Sequence, residues 1–316
     1  MSNTAILFSG QGAQYPNMGQ ALAKASKEAS EIYDLASATV GYDILKLDEA
    51  ALNDTKYAQI ATFTLSMAAY HALKARLEPD QLEIHTAPLA GFSLGEYSAL
   101  TAASIIDLSD ALKLIAYRSE VMAKAANQNK GAMFAILGLD DEVILNALNE
   151  DKYKGKVFPA NFNAPGQLVI AGYEEACLQA AEQFKNLGAR RALRLNVSGA
   201  FHTKLMDLAA KQLSEYANSI NFKTTKQTVY SNVFAKPLVV DEHTAKYLGT
   251  HMTSPVLWTK TITQLKNLGI KQYIELGPGK TLLGLVKRVD RQASLLNIED
   301  EKSLDETIAA LKSIQD

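Results

Sequence analysis

Residues 86–104 read TAPLAGFSLGEYSALTAAS, with Ser93 set between Gly91 and Gly95. An apolar run ends at that point and a helix-forming run begins, so the chain has to turn sharply from strand to helix. Gly-x-Ser-x-Gly at such a junction holds the serine in a strained backbone conformation, and the glycines let the strand and helix backbones approach without a Cβ clash. The serine oxygen then projects above a sheet, near a helix N-terminus whose dipole favours developing negative charge. A plain turn or cap would need neither glycine. The stretch therefore predicts a nucleophile on an elbow, and an α/β sheet to carry it.

The remaining texture agrees. TAILFSG reads as a buried strand and GQALAKASKEASEIYDLAS as a helix. ATFTLSMAAYHALKARLE, EYSALTAAS and DALKLIAYRSEVMAKAA read as further helices. Strands alternating with helices of this length imply a mainly parallel sheet covered by helices. Near residue 127 the pattern changes. GAMFAILGL, DDEVILNALNE, VFPANFN, GQLVIAG, EEACLQAAEQFKNLGA and RALRLNV give strand–helix–strand–strand–helix–strand, the ferredoxin-like order. Residues 127–197 are read as an inserted βαββαβ subdomain, and 1–126 with 198–316 as the catalytic core. After the insertion TKLMDLAAKQLSEYANSI reads as helix and TVYSNVF as strand. HMTSPVLWTKTITQLKNLG opens another helix, and YIELGPGKTLLGLVKR is strand, turn and helix.

Composition narrows the function classes. The 316 residues are 47% apolar, enough for a packed core, and 32 basic residues face 34 acidic ones for a net charge of −2. That balance argues against general binding to nucleic acid or a membrane surface. One cysteine, Cys177, excludes an internal disulfide and a cysteine-rich metal site, and no metal is expected. MSNTAILFSG has a short apolar run and no basic leader, and no stretch reaches the length of a membrane span. A soluble, cytoplasmic protein is expected.

A serine hydroxyl needs a base. His71 sits inside a helical run, His243 follows Asp241-Glu242 at a polar helix start, and His85 precedes the elbow strand at its wrong end. His202, in NVSGAFHTKLM, lies where a strand ends and a helix begins, the edge where sites of parallel sheets assemble. It is the first candidate, with His251 second. Arg118 has Leu114, Ile115, Val121 and Met122 as its helical neighbours, so it must find an anion. An internal salt bridge and a substrate carboxylate both answer that need. Gly10-Gln11-Gly12 follows the first strand and lacks dinucleotide-loop spacing; its N–H groups suit either a phosphate or an oxyanion. Gly279-Lys280-Thr281 fails as a phosphate loop, because residue 274 is Ile rather than Gly.

FSGQGAQYPNMG, GFSLGEYSAL, YRSEVM, NFNAPGQLVIAG, VSGAFHTKLM, SPVLWTK and ELGPGKTLLGL, in that order along the chain, resemble the malonyl-CoA:acyl carrier protein transacylases of fatty-acid synthesis and the acyltransferase domains of polyketide synthases. The resemblance implies an α/β-hydrolase-like core with a ferredoxin-like insertion. It makes Ser93 the acylated nucleophile, His202 its base, and the N–H groups of Gln11 and Leu94 the oxyanion hole. Arg118 would hold the malonyl carboxylate, Asn163 and Phe201 would line the substrate site, and the His251 carbonyl would orient the base. No bound cofactor is implied, only malonyl-CoA and phosphopantetheinylated acyl carrier protein as substrates, with the enzyme a monomer. Ala200-Phe201-His202 matches the form associated with malonyl selection.

Two positions depart from the family. Phe92 stands where His usually precedes the nucleophile, and His251 where Gln is frequent. Three other readings stand beside transfer to a fatty-acid carrier: a discrete polyketide acyltransferase, an editing hydrolase or thioesterase, and a non-catalytic carrier-docking subunit. An acidic carrier calls for a basic surface, for which Arg190, Arg191 and Arg194, or Lys287, Arg288 and Arg291, are the candidates.

Overall fold

The computed structural model describes residues 3–78, 86–197 and 199–313. Its elements run β1 (Thr4–Phe8), α1 (Gln20–Ala25), α2 (Lys27–Val40), α3 (Glu49–Leu52), α4 (Thr55–Leu77), β2 (Leu89–Gly91), α5 (Leu94–Ala102) and α6 (Leu108–Gln128). There follow β3 (Gly131–Leu137), α7 (Asp141–Leu148), β4 (Val157–Ala164), β5 (Gln167–Tyr173), α8 (Glu174–Asn186) and β6 (Arg191–Arg194). The chain closes with α9 (Asp207–Ala217), β7 (Val229–Tyr230), α10 (Thr244–Thr253), α11 (Trp258–Asn267), β8 (Gln272–Leu276), α12 (Thr281–Val289), β9 (Ser294–Ile298) and α13 (Glu301–Lys312).

The larger sheet is parallel throughout, in the order β7-β2-β1-β8-β9. Its central strand β1 is buried along its whole length, as a strand covered on both faces must be. Alternate residues of β1 serve the two faces. Ile6 and Phe8 pack into the cluster built with α2, α4, α6 and α9, while Ala5 and Leu7 meet Trp258, Ile262, Leu282 and Val286 of α11 and α12. The smaller sheet is antiparallel, in the order β4-β5-β3-β6. One of its faces packs on α7 and α8 through Phe134, Ile136, Leu168 and Phe184; the other sends Met133, Ala135, Val169 and Ala171 into the main core. The α/β class, with a parallel sheet and a separate ferredoxin-like one, is as the sequence implies.

Several elements differ from the sequence reading. The helix expected across GQALAKASKEASEIYDLAS is two helices, because Ser26 adopts an extended conformation and its hydroxyl accepts from the Ala29 N–H as N-cap of α2. TVYSNVF yields only Val229–Tyr230 as strand, since the Ser231 and Asn232 backbones bond elsewhere. HMTSPVLWTKTITQLKNLG divides at Pro255 between α10 and α11. The edge strand β9 and helix α13 were not anticipated. Among the described residues no helix is long and apolar enough to cross a membrane, and no group of acids, histidines and cysteine is arranged to hold a metal.

Candidate active site

Strands β1 and β2 are neighbours, so the loops that follow them emerge side by side at one edge of the sheet. The elbow forms there. A Cβ on Gly91 would lie 1.9 Å from the Gly95 carbonyl, and one on Gly95 would lie 2.1 Å from the Phe8 carbonyl oxygen. Both glycines are therefore required for α5 to start against β1 and β2. Ser93 takes φ 51°, ψ −104°, a region that costs a side-chain-bearing residue about 1–3 kcal/mol. Its side chain caps nothing in the helix it precedes, which leaves Oγ free for chemistry.

His202, also at positive φ, is buried beside it with Nε2 2.8 Å from Ser93 Oγ. Nδ1 lies 3.2 Å from the His251 carbonyl and 3.0 Å from that of Ser254. Carbonyls only accept, so Nδ1 carries the hydrogen and Nε2 is left as the acceptor for the serine proton. Burial, then the Arg118 charge, presses the His202 pKa down to about 4, while the two carbonyls pull it up. The imidazole is thus neutral at pH 7, the form a base needs.

Arg118, on α6, is 1% exposed. Its Nη2 donates to Ser93 Oγ at 3.3 Å, its Nη1 donates to Gln59 Oε1 of α4, and its guanidinium lies 5.1 Å over the Tyr97 ring. Every acceptor it meets is neutral. Among the described residues no carboxylate pairs with it, and its Nε has no partner. A buried cation with no carboxylate in direct contact has the chemistry to receive an anion beside Ser93. Of the two answers posed by the sequence, the internal salt bridge is absent.

The N–H of Leu94, first residue of α5, has no carbonyl within the helix to bond and points to the serine end. Gln11 follows β1 in the adjacent loop and anchors its side chain by donating Nε2–H to Thr55 Oγ1 at 3.3 Å. Phe201 is buried next to His202. Asn163 sits at the end of β4, buried, with an unpartnered Oδ1; no hydrogen bond joins it to Ser93, His202 or Arg118 among the described residues. Phe92 is half-buried and meets Trp258 edge-on at 5.5 Å, so the residue before the nucleophile packs against α11 rather than joining the base.

The other sequence candidates resolve elsewhere. The His251 ring contacts His202 edge-to-face at 5.7 Å and its carbonyl accepts from His202 Nδ1. His71 lies in α4 against Tyr70, His243 starts α10 in solvent, and His85 falls outside the described residues. Leu282 and Leu283 at the start of α12 donate their N–H groups to the buried Glu275 carboxylate, so the protein's own anion occupies that helix end. Burial pushes the Cys177 thiol up to about 12, consistent with a packing role. Of the basic clusters, Arg194 pairs with Glu174 and Arg288 donates to the Pro165 carbonyl.

Five residues of the site were not singled out from sequence: Gln59, Glu96, Tyr97, Asn232 and Ser254. Asn232 grips the elbow, its Oδ1 accepting from the Ser93 N–H and its Nδ2 donating to the Gly91 carbonyl, each at 2.7 Å. Glu96 is wholly buried and accepts from the Asn232 N–H at 2.7 Å and from the Tyr247 hydroxyl. Ser93-Leu94-Gly95-Glu96 has the spacing of a helix capping box, the one sequence signal that marked Glu96.

Residues 6–309 match the family described as acyl transferase domain. The malonyl CoA-acyl carrier protein transacylase of Staphylococcus aureus is 37% identical over 307 residues, covering 95% of this chain and 96% of that protein. Among solved structures, an acyl carrier protein S-malonyltransferase from Vibrio cholerae superposes with a TM-score of 0.90 at 37% identity, over 97% of this chain and 100% of its own. A malonyl-transacylase in complex with a type II PKS acyl-carrier protein does so with a TM-score of 0.91 at 36% identity, over 98% and 100%.

Proposed function

The chain belongs to the acyl transferase domain family, and on that premise we propose that it moves malonyl groups from malonyl-CoA to the phosphopantetheine thiol of acyl carrier protein, in fatty-acid synthesis. The observation that carries the reading is the convergence on Ser93 Oγ of one neutral imidazole and one guanidinium with no carboxylate in direct contact.

The chemistry is a two-step exchange. His202 Nε2 takes the Ser93 proton as Oγ attacks the thioester carbonyl, and the Leu94 and Gln11 N–H groups receive the developing oxyanion. The bond to sulfur then breaks, and the imidazolium returns its proton to the departing coenzyme A thiol. The carrier's thiol enters, loses its proton to His202, and the steps run in reverse. Two carbonyl dipoles, from His251 and Ser254, stabilise the imidazolium where many serine enzymes use a carboxylate. Arg118 contributes twice. It holds the free carboxylate of the malonyl group, and that carboxylate offsets the charge depressing His202, so the imidazolium forms more readily when the correct acyl group is bound. Gln59 orients the guanidinium without neutralising it. Phe201 and Asn163 bound the acyl site.

On this reading residues 1–126 and 198–316 form the catalytic core and 127–197 the small subdomain over it, acting as a monomer in the cytoplasm. Intact-mass measurement after mixing with malonyl-CoA tests the function. The wild type gains one malonyl group, Ser93→Ala gains none, and holo-carrier protein removes the adduct far faster than water. Release to water as fast as to carrier identifies a hydrolase instead; a wild type that gains no mass overturns the reading.

A further inference from the structure

In an ordinary Ser-x-x-Glu capping box the serine Oγ accepts from the helix and the glutamate reaches back to the serine N–H. Here the box is opened and Asn232 is inserted into it. The Ser93 N–H goes to Asn232 Oδ1 at 2.7 Å, and the Asn232 N–H goes to Glu96 Oε2 at 2.7 Å. The Glu96 N–H meets the Ser93 backbone carbonyl at 3.1 Å, so Oγ is released from capping. The other side of the ring runs through His251. Its imidazole Nε2 lies 3.4 Å from Asn232 Oδ1 and 3.6 Å from Glu96 Oε2, and its carbonyl receives the His202 Nδ1–H at 3.2 Å. His202 Nε2 and Ser93 Oγ close the circuit at 2.8 Å.

We propose that Glu96 and the His251 imidazole are positioning residues for acyl transfer, a buried pair that fixes the distance between the nucleophile elbow and the segment holding the base. The elbow belongs to α5 and the base-orienting carbonyl to α10, and no backbone ladder joins those two elements. Glu96 and Asn232 tie them. Tyr247, also on α10, donates its hydroxyl to Glu96 Oε1, and the His251 ring one turn further on packs 3.6 Å from Oε2. Burying an acid and two rings for stability alone is a poor solution, because apolar side chains of the same volume commonly do as well or better. Holding two reacting groups to a fraction of an ångström is a use that needs directional bonds. Arg118 meets this ring at Ser93 Oγ, and its charge acts through space on Glu96 and His251, so the half-saturating concentration has to be read beside the rate.

The inference rests on Ser93 being the acylated group, and the test keeps the two apart. Single-turnover acylation by malonyl-CoA is followed by quenched intact mass, giving a saturating rate and a half-saturating concentration. Labelling by a fluorophosphonate, which needs an activated serine and no malonyl recognition, is run beside it. Glu96→Ala lowers both the saturating acylation rate and the labelling rate by about 10- to 100-fold and leaves the half-saturating concentration within about twofold. Glu96→Gln, which keeps an acceptor for the Asn232 N–H, recovers most of that loss. Should Glu96→Ala not fold, His251→Ala against His251→Gln gives the same reading, because both keep the carbonyl that serves His202 while only Gln can bond to Glu96. Wild-type rates in the Ala variants, Gln variants no faster than Ala ones, or a defect confined to half-saturation each overturn the proposal. A wild type labelled by the probe but not by malonyl-CoA condemns the malonyl reading alone, with the labelling rates still deciding the pair; one labelled by neither ends both.

Discussion

The two sheets of this protein solve different problems with the same alphabet. Around the antiparallel sheet, Phe134, Ile136, Leu168, Ile170 and Phe184 fill an apolar cluster, and the ion pairs lie in solvent, as with Arg194 and Glu174. At the carboxyl edge of the parallel sheet, Glu96, Arg118, His202 and His251 are all buried, and Arg118 Nε and His251 Nδ1 lack partners among the described residues. Backbone strain divides the same way. Among the described residues the non-glycine positions at positive φ are Asn17, Ser93, Ser104, His202 and Ala235, none of them between β3 and β6. One region is packed for stability; the other carries strain and unpaired charge because reacting groups must be displayed, and the surrounding apolar core supports it.

Substitutions can break or sharpen that contrast. The largest effect is at the elbow. Ser93→Gly removes the proposed nucleophile and the side chain that makes its φ unfavourable, so transfer falls by about 10⁴-fold or more while stability holds or rises by up to about 1 kcal/mol. A melting study showing marked destabilisation would mean the strain is not stored there. Next, Phe184→Ala opens the apolar cluster and destabilises the protein by about 3–5 kcal/mol, with activity per folded molecule unchanged. Denaturant titration paired with active-site titration separates the two; a comparable loss of specific activity would join the regions that the contrast separates.

A smaller, selective change comes from Arg118→Ala, which shifts preference from malonyl toward acetyl by about 10- to 100-fold. Its pH profile moves as well. Arg118 lowers the His202 pKa, after burial, and the base is lost as pH falls through that pKa. Removing the cation raises the pKa, so the acid limb of Ser93 labelling appears at higher pH than in wild type; an unmoved limb would remove Arg118 from the base's surroundings. Smallest is Arg194→Ala, whose exposed pair with Glu174 is worth within about 0.5 kcal/mol, read as an almost unchanged unfolding midpoint.

How much of this was legible in the sequence depended on whether the signal was local. The elbow was, because both glycines answer to clashes within a few residues and the neighbouring strand. The βαββαβ order was, through alternation and turn residues. Arg118 announced itself as a cation on an apolar helix face, though only the folded chain shows that Gln59 and Tyr97, rather than an acid, meet it. Asn232 carried no local mark. Its stretch reads as strand, yet its amide is taken by residues some 140 positions earlier. The short β7 and the paired helices α1 and α2 escaped for a related reason: Ser26 and Ser231 spend their hydroxyls on the backbone, which periodicity does not register.

By itself the sequence determined the class of fold and the serine elbow with its two glycines, because those follow from sterics and hydrophobic period over short spans. Which imidazole stands at Ser93, whether the buried cation is already neutralised, and what ties α5 to α10 were decided only in three dimensions. Those properties belong to hydrogen bonds a few ångströms long between segments far apart along the chain, and directional contacts of that reach leave no periodic trace in the residues that make them.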